Sequence, residues 1–119
     1  MELTSTDLPE GIRKITLSGR LDVQGANDID LKFTVLTSGE RVLAVIDLSG
    51  VDFMASLGIS TLVRNARSAK LRGGNLVLLR PQPNVAKVLA STGIDKVISI
   101  CYEWDDALVA VRGPASPLL

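Results

Sequence analysis

The stretch formed by residues 45–60 constrains the fold of this chain more than any other segment. It begins inside a predominantly aliphatic segment, residues 41–48, of the kind found in strands that are buried on both faces of a sheet. A short loop follows, and residues 57–71 then repeat apolar side chains at the three- and four-residue spacing of a helix. A buried strand that leads through a short loop into a helix is a building unit of α/β folds.

The rest of the chain continues this alternation of strands and helices. The predicted strands lie at residues 2–6, 12–18, 41–48 and 75–79 and within 94–100, and the predicted helices at 26–36, 57–71, 83–91 and 103–111, with a loop at 19–25. The first two strands are separated by the turn signal Pro9-Glu10-Gly11, which predicts an antiparallel hairpin. We therefore predict one α/β domain at residues 1–112, with a mixed sheet of four to five strands, parallel after the hairpin, and about four helices. Residues 113–119 are expected to form a loose tail.

The composition agrees with a single domain of this class. Only 3% of the 119 residues are aromatic, so the core must be built from Val, Leu, Ile and Ala, which suits a sheet covered by helices. The single cysteine, Cys101, excludes an internal disulfide and fits a reducing compartment. The N-terminus is polar and acidic, and no apolar run approaches the length that spans a bilayer. We expect a cytoplasmic protein without membrane insertion.

Several kinds of chemistry are excluded by residues that the chain lacks. It contains no histidine, which removes histidine-based triads and histidine metal sites, and its single cysteine removes cysteine-rich zinc sites. No glycine-rich phosphate-binding loop or dinucleotide fingerprint is present. The pI of 6.2 and the scarcity of aromatic residues argue against nucleic-acid binding. We therefore expect no catalytic residues, no metal, no cofactor and no nucleic-acid partner.

Charge is unevenly distributed although the formal net charge is zero. No Asp or Glu lies between Phe53 and Ile94, and this stretch carries six basic residues. Two of them, Arg64 and Arg67, are predicted on the outer face of the helix that follows Ser56. Such a basic flank suits an acidic partner or a nucleotide phosphate, and the alternative is an ordinary solvated helix face.

Ser56 is the main functional candidate that the residues themselves indicate. It lies where the helix of residues 57–71 begins, and a helix N-terminus offers unpaired N–H groups and the positive end of the helix dipole. Ser56 can therefore cap the helix, or it can carry a phosphate that those groups would accept. Asp22 also follows a predicted strand at the carboxyl edge of the sheet, so the two residues are expected to be neighbours. The alternative role of Asp22 is to cap the first helix.

Two motifs carry a resemblance to a known family. Residues 47–54, Asp-Leu-Ser-Gly-Val-Asp-Phe-Met, are followed by Ser56 and Gly58, and residues 19–22, Gly-Arg-Leu-Asp, are followed by Ala26. Both motifs resemble the signature elements of STAS domains, specifically those of bacterial anti-sigma factor antagonists. With the order of elements given above, the resemblance covers about residues 3–110.

The resemblance implies a STAS-like fold and a phosphorylation switch. Ser56 would be the phosphoacceptor, and Asp22 matches the family's acidic residue that is associated with partner or kinase recognition. The unphosphorylated protein would bind an anti-sigma factor of the histidine-kinase-like ATPase fold and free a sigma factor. That partner would phosphorylate Ser56 with ATP, and a separate Ser/Thr phosphatase would restore the hydroxyl. Nothing in the sequence indicates an oligomeric state.

The residues around Ser56 extend the expected partner surface and also depart from the family pattern. Ala55 stands where the family has an acidic residue, and Leu57 stands where it has Ser or Thr. Both departures favour the alternative of a STAS module that binds without being phosphorylated, in a signalling assembly or beside a transporter. Met54 and Leu57 are expected to form an exposed apolar contact, with a core position as the alternative for Met54. Gly58 is expected to permit the close approach of a partner or of a strand, and the alternative is a purely packing role.

Overall fold

The computed structural model describes residues 1–113 and contains one five-stranded mixed sheet. The strands are β1 (Glu2–Leu8), β2 (Ile12–Leu21), β3 (Leu43–Met54), β4 (Asn75–Leu79) and β5 (Ser99–Cys101), and they lie side by side in this order. Strand β1 is antiparallel to β2, and every other neighbouring pair is parallel. The predicted fold class, with an N-terminal hairpin followed by parallel strands, is therefore confirmed.

In the described part of the chain, four α-helices cover the two faces of the sheet unequally. They are α1 (Val23–Thr37), α2 (Ser56–Leu71), α3 (Pro83–Ser91) and α4 (Trp104–Arg112). The larger apolar cluster contains residues of α1, α2 and α3, among them Phe33, Leu62 and Leu89, which are fully buried. The smaller cluster lies on the opposite face, where Ala107 and Val111 of α4 pack against the sheet. All five residues of β4 are buried, as expected for a central strand with helices on both faces.

The largest error of the sequence prediction lies at the ends of β2 and β3. The segment 19–25 was predicted as a loop, but β2 continues to Leu21 and α1 begins at Val23. Strand β3 likewise runs six residues past the predicted end at Leu48. The two extensions pair with each other through register shifts, and glycines in both segments permit this irregular pairing. As a result, the carboxyl ends of β2 and β3 lie side by side.

Smaller differences concern the C-terminal part of the chain. A 3₁₀ turn at Ile94–Lys96 precedes β5, which ends one residue beyond the predicted range of 94–100. Apart from Gly113, the predicted loose tail lies outside the described residues. Within residues 1–113, no helix has the length and apolar character that crossing a membrane requires. The same described part of the chain holds no group of three or more potential metal-ligating side chains.

Candidate phosphorylation and partner-binding site

A backbone hydrogen bond joins the two segments that carry the candidate residues. The N–H of Ala55 donates to the carbonyl oxygen of Leu21 at 3.0 Å, directly after the last paired residues of β2 and β3. Asp22 follows Leu21 and Ser56 follows Ala55, so helices α1 and α2 begin next to each other at one edge of the sheet. The structure therefore brings together the two sequence segments in which Asp22 and Ser56 were singled out.

Ser56 is the first residue of α2 and is exposed to solvent. The residue in the capping position is Ala55, whose backbone is extended and whose side chain has no hydrogen-bonding group. The interpretation of Ser56 as the helix cap is therefore wrong by one residue. Within residues 1–113, the Ser56 hydroxyl has no hydrogen-bond partner. Its position leaves the N–H groups of the first helical turn without a side-chain cap, beside a free hydroxyl.

Asp22 caps helix α1, as one of the two interpretations of the sequence proposed. One carboxylate oxygen accepts a hydrogen bond from the Gly25 N–H at 2.8 Å, and the other lies 3.5 Å from the Arg20 Nε. The hydrogen bond from Gly25, together with the nearby Arg20 guanidinium, lowers the pKa of Asp22 below its ordinary value. Asp22 is therefore a carboxylate at neutral pH, with one oxygen engaged in the cap and the other facing Arg20.

Gly58 is buried in the contact between α2 and the end of β2. A Cβ atom at this position would lie 2.5 Å from the Leu21 Cγ and 3.0 Å from the Leu21 carbonyl oxygen. The structure supports the close approach of a strand and the packing role, because Gly58 is buried against Leu21 and is not available for direct contact with a partner. Because Gly58 has no side chain, α2 can begin close to the hydrogen bond between the Ala55 N–H and the Leu21 carbonyl oxygen.

The expected exposed pair of Met54 and Leu57 is only half present. Met54 is 4% exposed and packs in the larger apolar cluster, so its predicted place on the surface is wrong and the core alternative holds. Leu57, the second residue of α2, is 38% exposed beside Ser56. Successive side chains of β3 point to opposite faces, so Met54 faces the larger apolar cluster under α1, α2 and α3 while its neighbour Phe53 does not.

Phe53 and Arg20 form a contact that the sequence analysis missed. The Arg20 guanidinium lies over the Phe53 ring, 4.2 Å from its centroid, and the two residues are paired in the register of β2 and β3. Both side chains are exposed, Phe53 at 37%. In each signature motif the residue lies at a strand position whose side chain points away from the larger apolar cluster. That much is visible in the sequence, but only the register of the two strands shows that the two side chains meet.

Arg64 and Arg67 lie on the outer face of α2, as predicted, but not beside Ser56. They are eight and eleven residues further along the helix, which corresponds to about 12 and 17 Å along its axis. Arg64 forms an exposed ion pair with Asp30 of α1, and within the described chain no ion pair or hydrogen bond engages Arg67. Together with Ile59, Val63 and Leu71, the two arginines line a shallow groove. This basic groove thus begins about one helical turn beyond Ser56, and its two arginines lie further along α2.

The fold and the signature motifs define a protein of the STAS class, and comparison with known families agrees. The STAS domain family matches residues 5–107, and the chain belongs to this family. The motifs quoted from the sequence therefore identified the family correctly.

Two relatives and two solved structures describe the chain's place in the family. It is 33% identical over 73 residues to a candidate anti-anti-sigma factor of Mycobacterium tuberculosis, covering 61% of this chain and 48% of that protein, so it spans about half of that relative's length. It is 29% identical to the anti-sigma F factor antagonist of Lysinibacillus sphaericus, covering 83% of this chain and 85% of the relative.

The crystal structure of an anti-sigma factor antagonist from Mycobacterium paratuberculosis superposes with a TM-score of 0.81, at 25% identity and 94% coverage of each chain. The STAS domain of a SulP transporter from Vibrio cholerae shares the fold alone, with a TM-score of 0.64, 22% identity, and coverage of 87% of this chain and 82% of that one.

Proposed function

We propose that this protein is an anti-sigma factor antagonist whose complex with an anti-sigma factor ends when Ser56 is phosphorylated. The observation that carries the proposal is that the Ser56 hydroxyl, on the first residue of α2, is exposed and has no hydrogen-bond partner among residues 1–113. The names of its relatives from Lysinibacillus sphaericus and Mycobacterium paratuberculosis support the same role.

The surroundings of Ser56 suit a phosphate better than they suit a structural serine. A phosphoserine adds between one and a half and two negative charges near neutral pH. At the start of α2, the unpaired N–H groups and the positive end of the helix dipole stabilise this charge. The modification would therefore leave the fold intact while reversing the electrostatics of the surface around Leu57. A docked partner would then meet a charge that it must desolvate or that repels it.

The partner would be an anti-sigma factor with the histidine-kinase-like ATPase fold. It would transfer the γ-phosphoryl group of ATP to the Ser56 oxygen, releasing ADP as the serine hydroxyl loses its proton. A separate Ser/Thr phosphatase would hydrolyse the phosphoserine with water and restore the hydroxyl. This chain supplies the acceptor hydroxyl and the docking surface, and the partner supplies the catalytic groups and the nucleotide.

The docking surface would centre on the accessible residues that follow the paired carboxyl ends of β2 and β3. Leu57 offers the apolar contact beside Ser56, and the carboxylate of Asp22 offers a charged contact at the start of α1. Ala55, which precedes Ser56, is partly exposed and would contribute its methyl group to the same surface. The basic groove of Arg64 and Arg67 extends this surface along α2 toward an acidic region of the partner. Met54 and Gly58 would act from within, by fixing the position at which α2 begins.

One specific observation favours a second candidate function. Ala55 places a methyl group, and Leu57 an isobutyl group, on either side of Ser56, where the resemblance implies an acidic residue and a hydroxyl. An apolar flank suits a binding surface that no kinase modifies. In this alternative, the same edge would dock a protein of a signalling assembly or a transporter without a phosphorylation step.

The proposal is tested by incubating the protein with candidate kinase-type anti-sigma factors and ATP and measuring its intact mass. We expect a gain of one phosphate that is absent in Ser56→Ala and retained in Ser60→Ala, a control one helical turn away. Ser60 is exposed, but its hydroxyl donates to the Ser56 carbonyl oxygen at 3.1 Å. Stable binding without any gain in mass would support the second candidate. A gain that persists in Ser56→Ala would contradict the proposed site.

A further inference from the structure

The exposed cation of Arg20 lies at the same edge of the sheet as Ser56. Its guanidinium is stacked over Phe53 at 4.2 Å from the ring centroid, and its Nε lies 3.5 Å from the second carboxylate oxygen of Asp22. The Arg20 side chain is 60% exposed, so solvent reaches it and its terminal groups can turn. This arrangement holds a positive charge at the end of β2 without burying it.

The path of the chain brings Arg20 and Ser56 to the same edge of the sheet. The hydrogen bond from the Ala55 N–H to the Leu21 carbonyl joins the two segments at 3.0 Å. Arg20 is the residue before Leu21, and Ser56 is the residue after Ala55. The two residues therefore lie one position to either side of a single backbone contact. The exposed Arg20 side chain is long and flexible, so it can be turned from this position toward Ser56.

Asp22, the present ion-pair partner of Arg20, would hold the guanidinium more weakly than a phosphate would. The contact with Asp22 is long and exposed, and such pairs contribute little to stability. Asp22 already receives a hydrogen bond from the Gly25 N–H, so losing Arg20 would not leave it without a partner. A phosphate carries more charge than a carboxylate and matches the planar fork of a guanidinium with two parallel hydrogen bonds. Ala55, in the place of an acidic residue, adds no second carboxylate that would hold the cation back.

We propose that Arg20 is the counter-ion of the phosphate on Ser56, and that phosphorylation draws its guanidinium from Asp22 to the phosphate. The inference rests on the proposed function only in that Ser56 becomes modified. It adds a residue that distinguishes the modified from the unmodified state. In the unmodified protein Arg20 pairs with Asp22, and in the phosphorylated protein it pairs with the phosphate while the second carboxylate oxygen of Asp22 is left facing solvent.

The test uses the full chain with phosphoserine inserted at position 56 during translation, so that no kinase is needed. The second ionisation of the phosphate is followed by ³¹P NMR as a function of pH at low ionic strength, where exposed charges are least screened. A nearby cation favours the dianion and lowers this pKa, so Arg20→Gln is expected to raise it by roughly half a pH unit. Arg67→Gln removes the same charge far along α2 and is expected to leave the phosphate titration unchanged. Arg20→Lys is expected to give an intermediate value, because it keeps the charge but loses the planar fork.

The outcomes separate this inference from the proposed function. If Arg20→Gln titrates as the parent phosphoprotein does, or if Arg67→Gln shifts the titration equally, Arg20 is not the counter-ion. Circular dichroism of each variant checks that the fold is retained, as expected for exposed side chains. A failure of every candidate kinase to phosphorylate Ser56 would contradict the proposed function without affecting the titration of the inserted phosphoserine.

Discussion

Replacing Gly25 by alanine is expected to lower the free energy of unfolding by about 3 kcal/mol, the upper end of the usual cost of overpacking. A Cβ atom on Gly25 would lie 2.0 Å from the backbone carbonyl oxygen of Arg20, which is far too short for a contact between atoms that are not bonded to each other. Because the clash involves backbone, no side chain can turn away to relieve it. The start of α1 would have to move away from the end of β2. The hydrogen bond that the Gly25 N–H donates to the Asp22 carboxylate would then be lost. Urea denaturation followed by circular dichroism measures the change.

Gly39→Ala is the matched control for this prediction. Its added Cβ would meet only a methyl group of the Val42 side chain, at 3.1 Å, and that group can move. Gly39 lies beyond the end of α1 and is exposed, so we expect a change below about 1 kcal/mol. Equal stability of the Gly25→Ala variant and the parent would mean that α1 does not begin against the carbonyl of Arg20.

Replacing Leu57 by aspartate is expected to weaken binding to the anti-sigma factor by about 30-fold or more, the effect of losing one central apolar contact of about 2 kcal/mol. Leu57 lies beside Ser56 and is 38% exposed, so the new carboxylate would enter the centre of the proposed docking surface. The fold should tolerate the change, because an acidic residue in the first turn of a helix interacts favourably with the helix dipole. Isothermal titration calorimetry of the variant with the partner measures the loss of affinity.

Leu71→Asp provides the control on the same helix. Leu71 is 89% exposed at the last position of α2, at the opposite end from Ser56. The same change of side chain there is expected to reduce the affinity by less than about threefold, the range of peripheral contacts. A loss as large as that of Leu57→Asp would place the centre of the interface on the basic groove instead of on the edge that carries Ser56.

The order of strands and helices followed from the sequence because its signals are local. The short aliphatic segment that ends at Leu48 favours a buried strand, and the apolar spacing of residues 57–71 favours a helix. The placement of Asp22 and Ser56 at one edge followed from the topology of parallel strands, since each residue comes after a strand. These features need no knowledge of how distant segments pair.

The features that the sequence did not reveal depend on the pairing of two distant segments. The ends of β2 and β3 read as loops because each contains glycine and polar residues, yet they complete each other's hydrogen bonds once they are aligned. The contact of Arg20 with Phe53 follows from that alignment and from nothing local. The assignment of the cap to Ala55 depends on the backbone angles of one residue, which spacing does not determine. The burial of Met54 follows from the same extension of β3.

The most direct test of the account compares the affinity of two forms of the same chain for the kinase-type anti-sigma factor. One form carries serine at position 56, and the other carries phosphoserine inserted during translation. The account predicts tight binding of the first form and an affinity lower by about 100-fold for the second, within the range of coupling free energies for a modification that repels a docked partner. Equal affinities would contradict the central claim that phosphorylation of Ser56 ends the complex.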